Sequence, residues 1–478
     1  MRKKMVIKLL GYQIMFLSLF FIPPLSIAFF MHESIWWVFF TSFLFSFGIG
    51  MILSNYIKAD HNLVRSDGFL MVVLIWVVFG FIGTLPFILS DQHLSFLDAL
   101  FESVSGITTT GVSVFTDPDK MPWSVQFYRN ELQYIGGLGV IVIASALLPM
   151  MRIGGIHLYF ADMPGPTKEE KLLPQLSSGM SMLLKIYLFF SVICVIGFYW
   201  SGMTLFESVC EMFTTVSTGG FSVHVDGFTH YNFHAQMVAV VIMLFGAINY
   251  QLHFLVAHRK KLKFYFNDLE FTRYIQMLII ISIFVFSVLM HHKFYDSPNS
   301  TFIYTIFNVV SIMTTTGHTV GNFANWPNVL PEMLVVLGII GGCAGSTSGG
   351  LKIIRIMISF RQLGITLKKL VHPAIVMKPS IQGHAIREEL LESVMAFMVL
   401  YFYIFLALIL CMIASGLDLF NAFAAVAATI SNVGVGINEI SYDSAHPISK
   451  SIMILSMLIG RIEIMTFFAI MIPSFWRS

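Results

Sequence analysis

The chain has 478 residues, of which 11% are Asp, Glu, Lys or Arg, against about 25% in a typical soluble domain. With 56% apolar residues and a mean hydropathy of +0.80, there is too little polar surface to clothe the soluble domains that such a length would otherwise suggest, so length here counts membrane helices. A net charge of +2, with neither a basic tail nor an aromatic-basic groove, excludes nucleic acid as a partner. The four cysteines, Cys194, Cys210, Cys343 and Cys411, lie in or beside apolar stretches without CxxC spacing. That argues for packing rather than a disulfide framework or a thiolate metal site.

The first apolar stretch, residues 9–31, follows Arg2, Lys3, Lys4 and Lys8 and continues through Phe29 and Phe30. It is longer than the apolar core of a secretion signal, so it is read as a retained helix, kinked at Pro23–Pro24. A bilayer crossing needs about 20 apolar residues, and further candidates fall at 35–57, 69–90, 125–150, 182–201, 234–257, 274–291, 331–359, 392–415 and 449–473, ten spans together. On alternate sides, twenty-three Lys and Arg stand against four (Lys120, Arg129, Lys293 and Lys450), with Arg461 left inside the last span. Basic segments resist translocation, so both termini are expected in the cytoplasm.

Between alternate spans, on the outer side, lie four shorter segments that end in hydroxyl residues and glycine. They read LDALFESVSGITTTGVSVF (97–115), LFESVCEMFTTVSTGGFSVH (205–224), IYTIFNVVSIMTTTGHTVGNF (303–323) and LFNAFAAVAATISNVGVGIN (419–438). Their key glycines, Gly111, Gly219, Gly317 and Gly434, recur at intervals of 108, 98 and 117 residues. The fold class is therefore an all-α polytopic membrane protein, with two N-terminal transmembrane helices followed by four pseudo-repeats of helix, re-entrant pore loop and helix around a central ion pathway. The expected divisions are 1–66 for the two-helix extension and 67–165, 166–265, 266–380 and 381–478 for the four repeats.

A segment of about 12–14 helical residues cannot cross a bilayer. The irregular backbone after it survives at membrane depth only when buried in protein or lining a watery cavity. Four such loops around one axis aim carbonyl and threonine oxygens at a point, which suits a cation. Glycine fits because turning successive carbonyls the same way demands φ > 0, and each half-helix adds about −0.5 charge at its C-terminal end. Serine, threonine and glycine at a single helix end have an ordinary packing explanation; four in register across four repeats do not.

The residues resemble the TrkH/KtrB superfamily of potassium transporters, TrkH-type membrane subunits in particular, along nearly the whole chain. The likeness rests on the four loops and on IGGLGVIVI (135–143), FADMPGPT (160–167), GAINYQLHF (246–254), GGCAGSTSGGLKIIRI (341–356), LVHPA (370–374), GRIEIMTFF (460–468) and PSFWR (473–477). The two extra N-terminal spans favour the TrkH branch. The resemblance implies a K+ pathway on a pseudo-fourfold axis, with a selectivity filter of backbone carbonyls. Carried over by position, the filter comprises Thr109, Thr110, Gly111 and Val112; Ser217, Thr218, Gly219 and Gly220; Thr315, Thr316, Gly317 and His318; and Asn432, Val433, Gly434 and Val435. His318 stands where an aromatic is commoner, and Val435 where proline often follows.

The eighth span is interrupted by Gly341, Gly342, Cys343, Ala344, Gly345, Ser346, Thr347, Ser348, Gly349 and Gly350. Glycine costs about 1 kcal/mol against alanine inside a helix, so this stretch is expected to break into a loop within the membrane. By resemblance it lies beneath the filter as a gate. A phosphate cradle is the rival reading, but GxxxxGK[ST] is absent because Leu351 separates Gly350 from Lys352. Arg461 is expected near the gate, repelling K+ or holding the loop through carbonyl contacts, with an ion pair to Glu463 as the alternative. Lys352 and Arg355 read as gate elements or as anchors at the cytoplasmic surface. Asp98, Glu102, Glu207 and Glu211 on the half-helices either concentrate cations or bond neighbouring backbone. His253, His258, His291 and His292 lack HExxH spacing and are expected to be interfacial rather than metal ligands.

The reading is potassium uptake with no catalysed chemistry and no nucleotide site on this chain, the only bound species being K+ at the filter. The resemblance implies a homodimer in the bacterial inner membrane, regulated by a cytosolic TrkA-type nucleotide-binding subunit. A coupled K+/H+ or K+/Na+ symporter on the same fold is the first alternative, and a polytopic membrane enzyme built on His291–His292 the remote one.

Overall fold

The computed structural model describes residues 3–56, 65–90, 94–151, 172–381, 384–435 and 442–477. Residues 152–171, which include the FADMPGPT stretch, and positions 436–438 of the fourth loop lie outside the described residues. The first span starts earlier than expected: α1 (Lys3–Ser18) passes through a 3-10 turn at Leu19–Phe21 into α2 (Ile22–Phe30). The turn precedes Pro23 and Pro24, which have no N–H to give the carbonyls four residues back. α3 (Trp36–Tyr56) returns against α1.

Four units follow. The first has α4 (Arg65–Gly83) and α5 (Leu85–Leu89), the half-helix α6 (Phe96–Ile107) and α7 (Trp123–Met151). The second has α8 (Leu172–Trp200), the half-helix α9 (Leu205–Val216), α10 (Phe233–Ala247) and α11 (Tyr250–Arg259). After the short α12 (Lys263–Asn267) come α13 (Leu269–His291), the half-helix α14 (Pro298–Met313), α15 (Leu330–Ile340) and α16 (Ile353–Val371). A two-residue antiparallel pair, β1 (Ser380–Ile381) with β2 (His384–Ala385), leads to α17 (Glu388–Ala414), the half-helix α18 (Leu419–Ile430), α19 (Pro447–Ile462) and α20 (Ile464–Ala469).

Among the described residues, six helical stretches are long and apolar enough to cross a membrane, and the bent pair α10 and α11 makes a seventh. The remaining three of the ten spans are α7, the α15–α16 pair and α19. The outward face of α17 is apolar: Val399, Phe402, Tyr403, Leu406, Leu410 and Ile413 are exposed at helical spacing, the inverse of a soluble surface.

Two spans read as continuous are broken. The stretch at 234–257 bends by 96° between α10 and α11. There the Asn249 side chain caps α11 by accepting from the Gln251 N–H at 2.8 Å. The last span breaks at Glu463, whose φ is +68°. Neither break carries proline or a glycine cluster, and both are completed by contacts from elsewhere in the chain.

Each half-helix starts on a side-chain cap. Ser95, Thr204, Ser297 and Asp418 accept from backbone N–H groups of their first turns, and Thr204 with Glu207 forms a capping box. Three of the four are 12 residues long. At about 1.5 Å per residue they reach some 18 Å, short of the hydrocarbon thickness of about 30 Å.

Packing of α1 on α3 depends on small residues. A Cβ on Gly50 would lie 2.5 Å from Met15 Cγ and 2.7 Å from the Gly11 carbonyl oxygen, whereas one on Gly48 meets nothing within 4 Å. Gly50→Leu should destabilise the purified protein by about 1–3 kcal/mol, the usual cost of overpacking, and Gly48→Leu should leave the thermal unfolding curve in place.

Candidate functional site

The four loops share one count. The half-helices end at Ile107, Val216, Met313 and Ile430, and two residues on, Thr109, Thr218, Thr315 and Asn432 take φ of +52°, +54°, +58° and +52°. Two further on, Gly111, Gly220, Gly317 and Gly434 take φ of +86°, +83°, +84° and +81°. Left-handed residues alternating with ordinary ones turn successive carbonyls to one side of the chain, and the second left-handed position is glycine in all four loops.

This count moves the second loop by one residue from its sequence assignment. Its members are Thr218, Gly219, Gly220 and Phe221, so Gly220 rather than Gly219 matches Gly111, and Ser217 belongs to the helix end. The doubled glycine in STGG hides the register, and distance from the helix end restores it. Hydrogen bonds agree: the N–H groups of Thr110, Gly219, Thr316 and Val433 donate to Ser105, Thr214, Ser311 and Ala428, each five residues back.

The loops also meet. A Cβ on Gly111 would lie 2.2 Å from the Gly219 carbonyl oxygen, one on Gly220 2.1 Å from that of Thr316, one on Gly317 2.0 Å from that of Val433, and one on Gly434 2.1 Å from that of Thr110. The sequence of contacts runs from loop one to two, three and four and back to one. Thr109, Thr110, Thr315 and Thr316 are buried, yet no described donor meets their carbonyls. Buried carbonyls are costly without a partner.

Behind the ring, one position buttresses three of the loops. Five residues before each half-helix end stand Glu102, Glu211, Asn308 and Ala425. Glu102 accepts from the Val114 N–H at 3.0 Å and the Ser113 hydroxyl at 3.1 Å. Glu211 accepts from Val223 N–H at 2.9 Å and Ser222 Oγ at 2.7 Å. Asn308 accepts from Val320 N–H at 3.2 Å and donates to Val320 O at 2.8 Å. Each thus holds the backbone twelve residues ahead; alanine at 425 offers no such group. Of the two readings of the acidic residues, backbone bonding describes Glu102 and Glu211. Glu207 serves the capping box, and Asp98 pairs with Lys450.

Gln133 on α7 was not singled out from the sequence. It donates to Gly219 O at 2.7 Å and accepts from Phe221 N–H at 3.1 Å. Arg129 links α6 to loop two, with its Nε 2.5 Å from Glu102, a bond to Ser222 O at 3.2 Å, and its guanidinium 3.8 Å above the Phe221 ring. Of the residues after the ring glycines, Val112 is buried, and His318 lies between elements, its Nε2 3.1 Å from Thr214 Oγ1 and its ring edge-on to Phe228 at 4.5 Å. Val435 is partly buried beside Gly317.

Residues 341–352 form an irregular segment between α15 and α16, with Gly341, Gly345 and Gly350 at positive φ. It completes the broken end of α10: Cys343 N–H donates to Ala247 O at 2.9 Å, and the Thr347 hydroxyl to Gly246 O at 3.0 Å. It also reaches three of the loops. Thr218 Oγ1 is 3.2 Å from Thr347 Oγ1, Gly349 N–H donates to Thr315 Oγ1 at 2.6 Å, and a Cβ on Gly349 would lie 2.0 Å from Ser431 O. The Ala344 N–H donates to Glu270 at 2.7 Å, Ser346 Oγ donates to Cys343 O at 2.6 Å, and a Cβ on Gly342 would lie 2.5 Å from the Ser348 hydroxyl.

Arg461 at the end of α19 donates to Thr347 O at 3.0 Å and Gly136 O at 3.3 Å, and its guanidinium stands 5.6 Å from the Trp76 ring. It therefore holds carbonyls; Glu463 pairs with Arg355 instead, at 3.0 Å. Arg461 is not the sole buried base. Arg129, Arg355 and Lys450 are also buried, each paired with a carboxylate. Arg355 is thus no surface anchor, and Lys352 Nζ donates to Ser348 O. A cavity of about 90 Å³ lies here, lined among others by Ser348, Lys352, Asn432, Arg461 and Glu463, large enough for several waters.

Of the histidines weighed earlier, His253 is buried rather than interfacial, and the rings of His291 and His292 touch, with centroids 5.5 Å apart. His253 bonds Tyr265 Oη at 2.6 Å and Phe245 O at 2.9 Å, and His292 bonds Asn328 at 2.9 Å.

Comparison with known proteins adds three findings. The profile of the TrkH family, cation transport proteins, matches residues 36–477. The Trk system potassium uptake protein TrkH of Vibrio parahaemolyticus is 40% identical over 427 residues, covering 88% of each chain, and that of Salmonella typhimurium is 37% identical over 483 residues, covering 100% of each. The crystal structure of the potassium transporter TrkH from Vibrio parahaemolyticus superposes with a TM-score of 0.93 at 35% identity, covering 100% of both chains.

The buttress is testable on stability alone. Asn308→Leu orphans the N–H and C=O of Val320 and should cost about 1–3 kcal/mol for each group left unpaired, read as a lowered unfolding temperature in detergent; Ala425→Ser, at the unbuttressed fourth position, should shift it far less.

Proposed function

The chain belongs to the TrkH family of cation transport proteins and is a multi-pass membrane potassium transporter rather than an enzyme, and from that premise we propose that K+ crosses along the axis where its four loops meet. The ion sheds water and is held by carbonyls of Thr109, Thr110 and Gly111, of Thr218, Gly219 and Gly220, of Thr315, Thr316 and Gly317, and of Asn432, Val433 and Gly434. The observation that carries this reading is the closed set of glycine-to-carbonyl approaches between successive loops. Irregular backbone at membrane depth is tolerated where it lines such a path.

The segment 341–352 acts as the gate. It bonds loops two and three and packs on loop four, while Arg461 ties its Thr347 carbonyl to Gly136 of α7. A Cβ on Gly136 would lie 1.9 Å from the Ile107 carbonyl oxygen, so the tie reaches loop one as well. Opening requires the segment to leave these bonds, and the guanidinium charge beside the path disfavours a second cation until it does. Both termini face the cytoplasm by the distribution of Lys and Arg. The basic cytoplasmic segments of a homodimer dock a nucleotide-binding regulatory subunit, in keeping with relatives named as members of a Trk system.

Rb+ uptake into liposomes tests both parts. Gly220→Ser and Gly317→Ser should each cut uptake by at least about tenfold because the ring depends on close carbonyl approach, with the protein still folded. Arg461→Ala should raise basal uptake severalfold; uptake unchanged in both kinds of variant would contradict the assignment.

A further inference from the structure

A cluster unrelated to the ring lies where the half-helices begin. Glu207 stands in the first turn of α9, His224 in the turn after loop two, His230 in a 3-10 turn spanning Gly227–His230, and Asp119 in the corresponding 3-10 turn of the first unit, Pro118–Lys120. His224 Nε2 is 3.0 Å from Glu207 Oε1, and its Nδ1 is 2.6 Å from Asp119 Oδ1. The His230 ring stacks on that of His224 with centroids 3.8 Å apart. One ligand atom from each of Glu207, His224 and His230 falls within 4.8 Å of the others.

We propose that Glu207, His224 and His230 bind a divalent transition-metal ion of the zinc class, with Asp119 as the carboxylate that orients His224. Two imidazoles and one carboxylate oxygen are a ligand set that Zn2+ accepts, leaving a fourth position for water. A ligating imidazole donates its other N–H to a carboxylate in such sites, and Asp119 already stands at Nδ1 while Nε2 points to Glu207. The supporting oxygens are fixed in turn: Glu207 Oε2 accepts from Thr204 N–H at 2.8 Å and Thr204 Oγ1 at 2.7 Å, and Asp119 Oδ2 accepts from Val225 N–H at 3.0 Å. This leaves one oxygen of each carboxylate directed at the imidazole. Of the three ligands His230 is the exposed one, and the adjustment that brings its nitrogen to ligand distance falls on that ring. The same paired carboxylates attract a metal cation. Metal there would tie the start of α9 to the turn that follows its own loop.

The test is Zn2+ titration of the purified protein by calorimetry, which needs no transport. The wild type should bind with an affinity that falls at least about tenfold in His230→Ala and His224→Ala, with Asp119→Asn also weakened, as loss of an orienting partner does. His230 is exposed, so its variant should unfold at the wild-type temperature, which separates loss of the site from loss of the fold. Absence of wild-type binding, or equal Zn2+ affinity in the wild type and in the His224→Ala/His230→Ala double variant, would overturn the proposal.

Discussion

The structure turns on a steric condition repeated four times: the α-carbon of one loop's glycine sits so close to a carbonyl oxygen of the next loop that a β-carbon would overlap it. Positive φ at the same glycine meets a second demand, turning its carbonyl to the side that its neighbours face. Any other residue fails both conditions at once. The helix lengths, caps and buttresses around the ring serve to deliver four backbones to this one place.

Because a single chain supplies all four loops, the units are free to differ. The first left-handed position is threonine in three loops and asparagine in the fourth, where Asn432 Nδ2 bonds Thr110 Oγ1 at 2.8 Å and Met457 O at 3.1 Å. The buttress is glutamate twice and asparagine once, and in the fourth unit alanine leaves it out. The third unit alone inserts a glycine-rich segment, and the fourth brings a buried arginine whose partners are carbonyls rather than a carboxylate. In an assembly of four identical chains, a segment bonding loops two and three and packing on loop four would be copied into a clash. Internal repetition without identity lets one unit carry a segment that meets the loops of the others.

Composition and hydropathy disclosed the membrane class, and the glycine-ended segments disclosed the fourfold plan, because both rest on residue types that tolerate few substitutes. The break at 341–352 was legible for the same reason: glycine and hydroxyl residues cannot sustain a helix there. The breaks at Ile248–Asn249 and at Glu463 were not, since what stabilises them is supplied from a distance, by Cys343 and Thr347 on one side and by Arg355 on the other. Glu102 and Glu211 were singled out with backbone bonding as one reading, but the position they share with Asn308 was not, because glutamate, asparagine and alanine share no type; its signal is the constant distance of five residues from the helix end. The second loop slipped by one because two adjacent glycines carry no indication of which takes φ > 0. Glu207, His224 and His230 lie within 24 residues but at none of the familiar metal-ligand spacings, and the turn after loop two brings them together.

The most direct test of the central claim is the anomalous scattering of Rb+ in crystals of this protein, which locates the ion without recourse to transport rates. Density on the common axis, in contact with carbonyls from all four loops, is the result this account predicts. Rb+ that is absent from the axis, or held by side chains or by one loop alone, would contradict it.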